Sequence, residues 1–212
     1  ALADSEYQMR RRPARRRRRM SARLTYAPLP RLPTLARAAL SVAEDIAGAA
    51  APWRGGASDG FVFSRSSWAL AALAAAAKPE DGRSCVVWLP DYFCDDATHP
   101  LRATGATVHH YPITDALTPD WDACANMAKA RAPDVFVLVH YFGLPSAVER
   151  AQEFCASADA LLVEDGAHAL GPGTGIGASG SAVFYSPHKV LAVPHGSVLA
   201  IGNGNERIRD GV

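Results

Sequence analysis

From residue 61 onward, short apolar runs alternate with stretches whose apolar positions recur at helical spacing. Residues 61–77, FVFSRSSWALAALAAAA, read as a short strand, a turn and a helix. Cys85–Leu89 predicts a buried strand. Asp95–Thr104 predicts a helix and Thr107–Tyr111 a strand. The alternation continues with a helix over Pro119–Ala130, a strand over Asp134–Tyr141 and a helix over Ser146–Ala156. Three further apolar runs follow, Leu161–Val163, Ala182–Tyr185 and Val198–Ile201, each strand-like. Strand and helix alternating at this spacing predict an α/β fold with three αβα layers, a mostly parallel central sheet covered by helices on both faces. Before residue 61 the pattern is weaker. Prolines 28, 30 and 33 predict extended chain over 24–34, residues 35–50 have helical composition, and Trp53-Arg54-Gly55-Gly56 reads as a loop.

Composition narrows the class. The chain has 212 residues, 49% hydrophobic and 20% charged, which suits one substantial domain. No apolar run is long enough to span a bilayer, so no membrane partner is expected. Cys85, Cys94, Cys124 and Cys155 lack C-x-x-C spacing, which argues against a zinc site or a disulfide scaffold and suits a reducing cytoplasm. His109 and His110 are adjacent in a predicted strand and face opposite sides, poor geometry for a shared metal.

The net charge of +1 hides an asymmetry. Residues 1–19 contain eight arginines against Asp4 and Glu6. Setting these aside leaves 14 basic and 19 acidic residues, a net of −5, with no sign of a nucleic-acid partner. Residues 1–23 are expected to be a disordered tail, since a like-charge run with few apolar residues cannot bury a core. Met20 offers an alternative start.

The chemistry concentrates in residues 161–202. An apolar run ends in Glu164 and Asp165, a glycine-rich loop follows, and a second run ends in Ser186-Pro187-His188-Lys189. One carboxylate and one lysine thus fall at the ends of two predicted strands, where α/β folds place ligands. The chain has three lysines. Lys78 lies in a turn and Lys129 follows an amphipathic stretch, and both read as solvated. Lys189 alone is embedded in apolar, glycine-rich sequence and is expected to be desolvated, able to lose its proton and form a Schiff base. A lone lysine there is more simply structural; its companions change the reading. Asp165 can pair with a protonated ring nitrogen and Ser186 can donate to a phosphate, the arrangement that serves pyridoxal 5′-phosphate (PLP). Ser66 and Ser67 fall at a helix start, where they can hold an anion or simply cap the helix.

These residues resemble the DegT/DnrJ/EryC1/StrS family of PLP-dependent sugar aminotransferases, of fold type I. The resemblance is carried by Glu164-Asp165-Gly166-Ala167-His168, Phe184-Tyr185-Ser186-Pro187-His188-Lys189, Val139-His140-Tyr141-Phe142-Gly143-Leu144-Pro145 and Leu89-Pro90-Asp91-Tyr92-Phe93-Cys94, in that family's order across residues 60–203. It implies a PLP-dependent transferase (fold type I) large domain over 24–212. It also implies that Lys189 carries the cofactor and Asp165 holds the ring nitrogen's proton. His168 then lies near the ring hydroxyl, and Ser66, Ser67 and Ser186 bind phosphate. The family's ring-stacking position holds Cys94, so Tyr92, Phe93 or Cys94 is expected against the ring. His188 has no assigned role. The implied reaction moves an amino group from an amino acid, often glutamate, to a keto-sugar nucleotide, in a homodimer.

Family members are usually longer and carry a small C-terminal domain, so this chain reads as a fragment or a truncated relative. Weak PLP binding, self-association and little turnover are expected of these 212 residues by themselves. Two alternatives stand beside the aminotransferase. A cysteine-desulfurase-like lyase shares the Asp-Gly-Ala-His run and the His-Lys pair, and a non-catalytic PLP-fold protein would share all of them.

Overall fold

The computed structural model describes residues 31–40, 46–57, 59–177 and 181–212. The expected disorder of residues 1–23 lies outside these. Three short helices open the described chain: α1 (Leu32–Leu40), α2 (Ile46–Ala49) and α3 (Ala51–Arg54). Two expectations are corrected here. Residues 32–34 are helical rather than extended, because Pro33 sits in the first turn, where its missing N–H costs nothing. Trp53 and Arg54 belong to a helical turn rather than a loop, which ends at Gly55 with φ +56°.

The rest follows the predicted alternation: β1 (Asp59–Phe63), α4 (Ser66–Ala76), β2 (Val86–Pro90), α5 (Thr98–Ala103), β3 (Thr107–Tyr111), α6 (Trp121–Ala130), β4 (Val135–Val139), α7 (Val148–Ala158), β5 (Leu161–Gly166), β6 (Ala182–Tyr185) and β7 (Ser197–Ile201). A helix that the sequence did not announce, α8 (Glu206–Gly211), closes the chain. Asp95–Thr104 divides into a 3₁₀ turn and α5, and the helix expected from Pro119 starts at Trp121, after Asp120 accepts the Ala123 N–H as its cap.

Seven strands form one sheet in the order β1-β7-β6-β5-β4-β2-β3. The pairs from β6 to β3 are parallel; β7 alone runs against both of its neighbours. The reason is the connection. β6 returns to β7 through residues 186–196 without a crossover helix, and only an antiparallel neighbour can be reached that way.

Alternation along each strand splits the core in two. Val87, Leu89, Val137, Val163, Phe184 and Leu199 face α4, whose Leu70 and Leu73 are buried against them. The alanines of α4 let it lie close to the sheet, with α5 and α8 beside it. On the other face Trp88, Tyr111, Phe136 and Leu138 meet Phe154 of α7 and Trp121 of α6, with ring centroids 4.6–6.5 Å apart. Asp134 ties the start of the sheet together: its carboxylate accepts both Arg83 guanidinium nitrogens at 2.7 and 2.6 Å and the Val86 N–H at 2.7 Å.

Candidate active site

Beyond the C-terminal ends of β2, β4, β5 and β6 lies a cleft of about 450 Å³. Its wall is the N-terminus of α4, and the loops after β2 and β4 form its rim. Asp165 reaches it by strand parity. It shares the α4-facing side of the sheet with Val139 and Phe184, both of which line the cleft, while Glu164 points to the opposite side. Lys189 enters from the 3₁₀ turn that follows β6.

Asp165 is 8% exposed and accepts the Ala167 N–H at 2.8 Å. Burial pushes its pKa above the ordinary carboxylate value, and that N–H, Lys189 and His140 draw it part of the way back. Lys189 is exposed, not desolvated as its apolar sequence context suggested, because the chain turns at Pro187 and carries the side chain out into the open cleft. Lys78 and Lys129 are exposed and remote from the cleft, as expected.

Ser66 and Ser67 both line the cleft. The capping expectation is corrected: Arg65 is the N-cap residue of α4 and no side chain caps it. The first N–H groups of the helix and two hydroxyls therefore remain available at the positive end of its dipole. Ser186 is fully buried and does not line the cleft, and its hydroxyl finds no partner among the described residues. His168 lines the cleft with Nδ1 accepting the Phe142 N–H at 3.2 Å. Burial and the Lys189 cation lower its pKa, so it is neutral above the ordinary histidine range.

Of the three stacking candidates, Tyr92 is 62% exposed and stacks on Tyr141, ring centroids 5.7 Å apart. The Tyr141 hydroxyl donates to the Tyr92 carbonyl at 2.7 Å. Phe93 packs partly against the core, and Cys94 presents an exposed thiol to the cleft. Burial pushes the thiols of Cys85, Cys124 and Cys155 up to about 12, so among the described cysteines only Cys94 is accessible.

Sequence reasoning passed over Glu164 and gave His140 no role. Both are fully buried, and His140 Nε2 lies 2.8 Å from Glu164 Oε2. The signal was available: a strand ending in two successive acids must send one of them to each face.

Together, the sheet and its C-terminal cleft define an α/β protein with a lysine, a carboxylate and a helix N-terminus converging on one ligand site. The model of the DegT/DnrJ/EryC1/StrS aminotransferase family matches residues 67–207, and the chain belongs to that family. No curated protein matches the chain. Among solved structures, the chain is similar to DesV of S. venezuelae, with a TM-score of 0.66 and 22% identity over 82% of this chain and 50% of that one. It is similar to DesI, solved in the presence of its TDP-sugar product, with a TM-score of 0.62 and 26% identity over 77% of this chain and 42% of that one. PseC of Helicobacter pylori, an aminotransferase of pseudoaminic acid biosynthesis, gives 0.59 and 22% over 74% and 43%. The chain thus spans half or less of the length of these proteins.

Proposed function

We propose that the chain is the PLP-binding large domain, residues 24–212, of an aminotransferase that moves an amino group from an amino acid, glutamate in the first instance, to a keto-sugar nucleotide or similar ketone. The observation that carries this reading is the meeting of Lys189, Asp165 and the uncapped start of α4 in one cleft. Family membership supports it, as does the TDP-sugar product of DesI.

The residues present suit PLP. The open N–H groups of α4 and the hydroxyls of Ser66 and Ser67 suit a phosphate. The Ser186 hydroxyl, expected on the phosphate, is buried away from the cleft lining and is not counted among these donors. Asp165 suits a protonated ring nitrogen, since a buried carboxylate gains most from a cation beside it. When bound, the cofactor supplies an electron sink for the pair left behind as a C–H bond breaks. Everything else falls to this chain. Lys189 would hold the cofactor at its aldehyde carbon, and its free amine would move a proton between carbon atoms. Asp165 holds the ring proton in place. His168, neutral, donates toward the ring hydroxyl. Cys94 is the closer fit to the ring face, because the ring of Tyr92 is already engaged by Tyr141.

A homodimer is the expected assembly, supported by the exposed Phe142, Leu144 and Leu170 near the cleft. Among the described residues no helix is long and apolar enough to cross a membrane. Four free thiols support a cytoplasmic setting. The test is spectroscopic: purified protein given PLP should gain the absorbance band of lysine-linked cofactor, which glutamate then bleaches in a half-reaction. Asp165→Asn should bind PLP yet lose most turnover; normal turnover in that variant would make Asp165 structural. Absence of the band in the wild-type protein would overturn the reading.

A further inference from the structure

His140 and Glu164 form a fully buried pair directly behind the cleft. Their hydrogen bonds settle which atoms carry protons. The Ser146 N–H donates to His140 Nδ1 at 3.0 Å, so the ring proton is on Nε2, and Nε2 donates to Glu164 Oε2 at 2.8 Å. The same carboxylate oxygen accepts the Gly177 N–H at 2.7 Å. The His140 backbone N–H donates to the Asp165 carbonyl at 3.0 Å.

The loop between β4 and α7 is therefore clamped at both ends, at residue 140 by Glu164 and at residue 146 by the His140 ring. Between the clamps the chain makes a tight left-handed turn. Phe142 has φ +57° and Gly143 φ +75°, and the Gly143 N–H returns to the His140 carbonyl at 3.1 Å. A non-glycine residue in this region is held there only by surrounding contacts. The turn's product is one hydrogen bond: the Phe142 N–H meets His168 Nδ1 at 3.2 Å, with the two rings stacked at 6.2 Å.

We propose that Glu164 and His140 are positioning residues that act through the Tyr141–Gly143 turn. They hold the Phe142 N–H against His168 Nδ1 and so fix His168 as the tautomer with its proton on Nε2, on a ring that lines the cleft. An N–H donor facing Nδ1 leaves that nitrogen only the acceptor role, and the neutral ring then carries its proton on the other nitrogen. No described residue bonds Nε2, which leaves that proton for a ligand oxygen. That this oxygen belongs to the cofactor rests on the function proposed above; the tautomer itself does not.

The experiment is long-range proton–nitrogen correlation NMR on ligand-free protein with ¹⁵N-labelled histidine at pH 7.5, His168 being assigned by its loss in His168→Gln. The expected result is an unprotonated Nδ1 and a protonated Nε2. Gly143→Ala strains the turn and its packing on the His168 backbone: an added Cβ would stand 2.8 Å from the His168 carbonyl oxygen and would have to tolerate φ +75°. It is expected to keep the circular dichroism of the fold and lose the single tautomer, both nitrogens moving to averaged positions. Glu164→Leu should do the same, and Glu164→Gln, which keeps an acceptor, should restore it. An Nδ1–H or averaged His168 in the wild-type protein overturns the proposal. So does an unchanged tautomer in Gly143→Ala, which decides the matter even if Glu164→Leu fails to fold. Wild-type protein that shows the tautomer but takes up no PLP would refute the cofactor reading and leave this one standing.

Discussion

Replacing His140 with alanine tests the buried pair most directly. The side chain and its Glu164 partner are both 0% exposed, so neither can turn to water when the other is removed. In the variant, Glu164 keeps the Gly177 N–H but loses Nε2–H, and the Ser146 N–H loses its acceptor. Breaking one side of a buried pair costs about 3–5 kcal/mol. The orphaned amide, worth about 1–3 kcal/mol when considered alone, overlaps with that figure rather than adding to it. At about 2–4 °C per kcal/mol for a domain of this size, the midpoint should fall by roughly 6–20 °C. That is a large share of a total stability of about 5–15 kcal/mol. Urea unfolding followed by circular dichroism measures it, with an unchanged slope as the check that the denatured state is the same. Glu164→Gln serves as the control. Its amide oxygen still accepts both N–H groups, so the loss should be smaller than that of His140→Ala. A cost under about 1 kcal/mol for His140→Ala would refute the reasoning, because it would mean that the carboxylate finds water or another donor.

Lys189→Ala should abolish the lysine-linked PLP band and any borohydride-fixed adduct; an adduct that persists would place the attachment elsewhere. Asp165→Asn should stabilise the ligand-free protein at neutral pH. Burial raises the carboxyl's pKa in the fold, so its charged form is disfavoured there, an effect absent below about the ordinary value of 3.8, growing as pH rises from there toward the raised value and constant above it. Urea midpoints for both proteins between pH 4 and pH 8 should therefore diverge upward, and a pH-independent difference would contradict the desolvation. Gly177→Ala should cost about 1–2 kcal/mol from its left-handed backbone alone, φ +72°, and more because the new Cβ meets the Tyr185 hydroxyl. A thermal midpoint within error of the wild-type value would show that the loop rearranges freely.

Much of the fold was legible because its elements carry unambiguous periods. The buried strands are unbroken apolar runs, and α4, α6 and α7 are bounded by turn residues, so element type and sheet class followed from pattern alone. The reversal of β7 was not legible, since apolar runs look the same in either direction. Nor was α8, whose charged sequence earns its helix from packing of Ile208 and Val212 against the core. The ends of elements shifted by a few residues where a cap decided them, as at Asp120.

The site divides along the same line. Chemistry that depends on residue type at a strand end was readable locally: Asp165, Lys189 and the Ser66-Ser67 pair all line or approach one cleft, with Ser186 buried apart from its lining. What depended on exposure was misread, because apolar neighbours in sequence do not bury a side chain that a turn carries outward, as at Lys189. The His140–Glu164 pair needed tertiary structure altogether. Its two residues lie 24 positions apart and meet only because β4 and β5 are adjacent and in register. Local sequence sets backbone preference and side-chain chemistry; which groups share a dry space is decided by packing between strands distant in the chain.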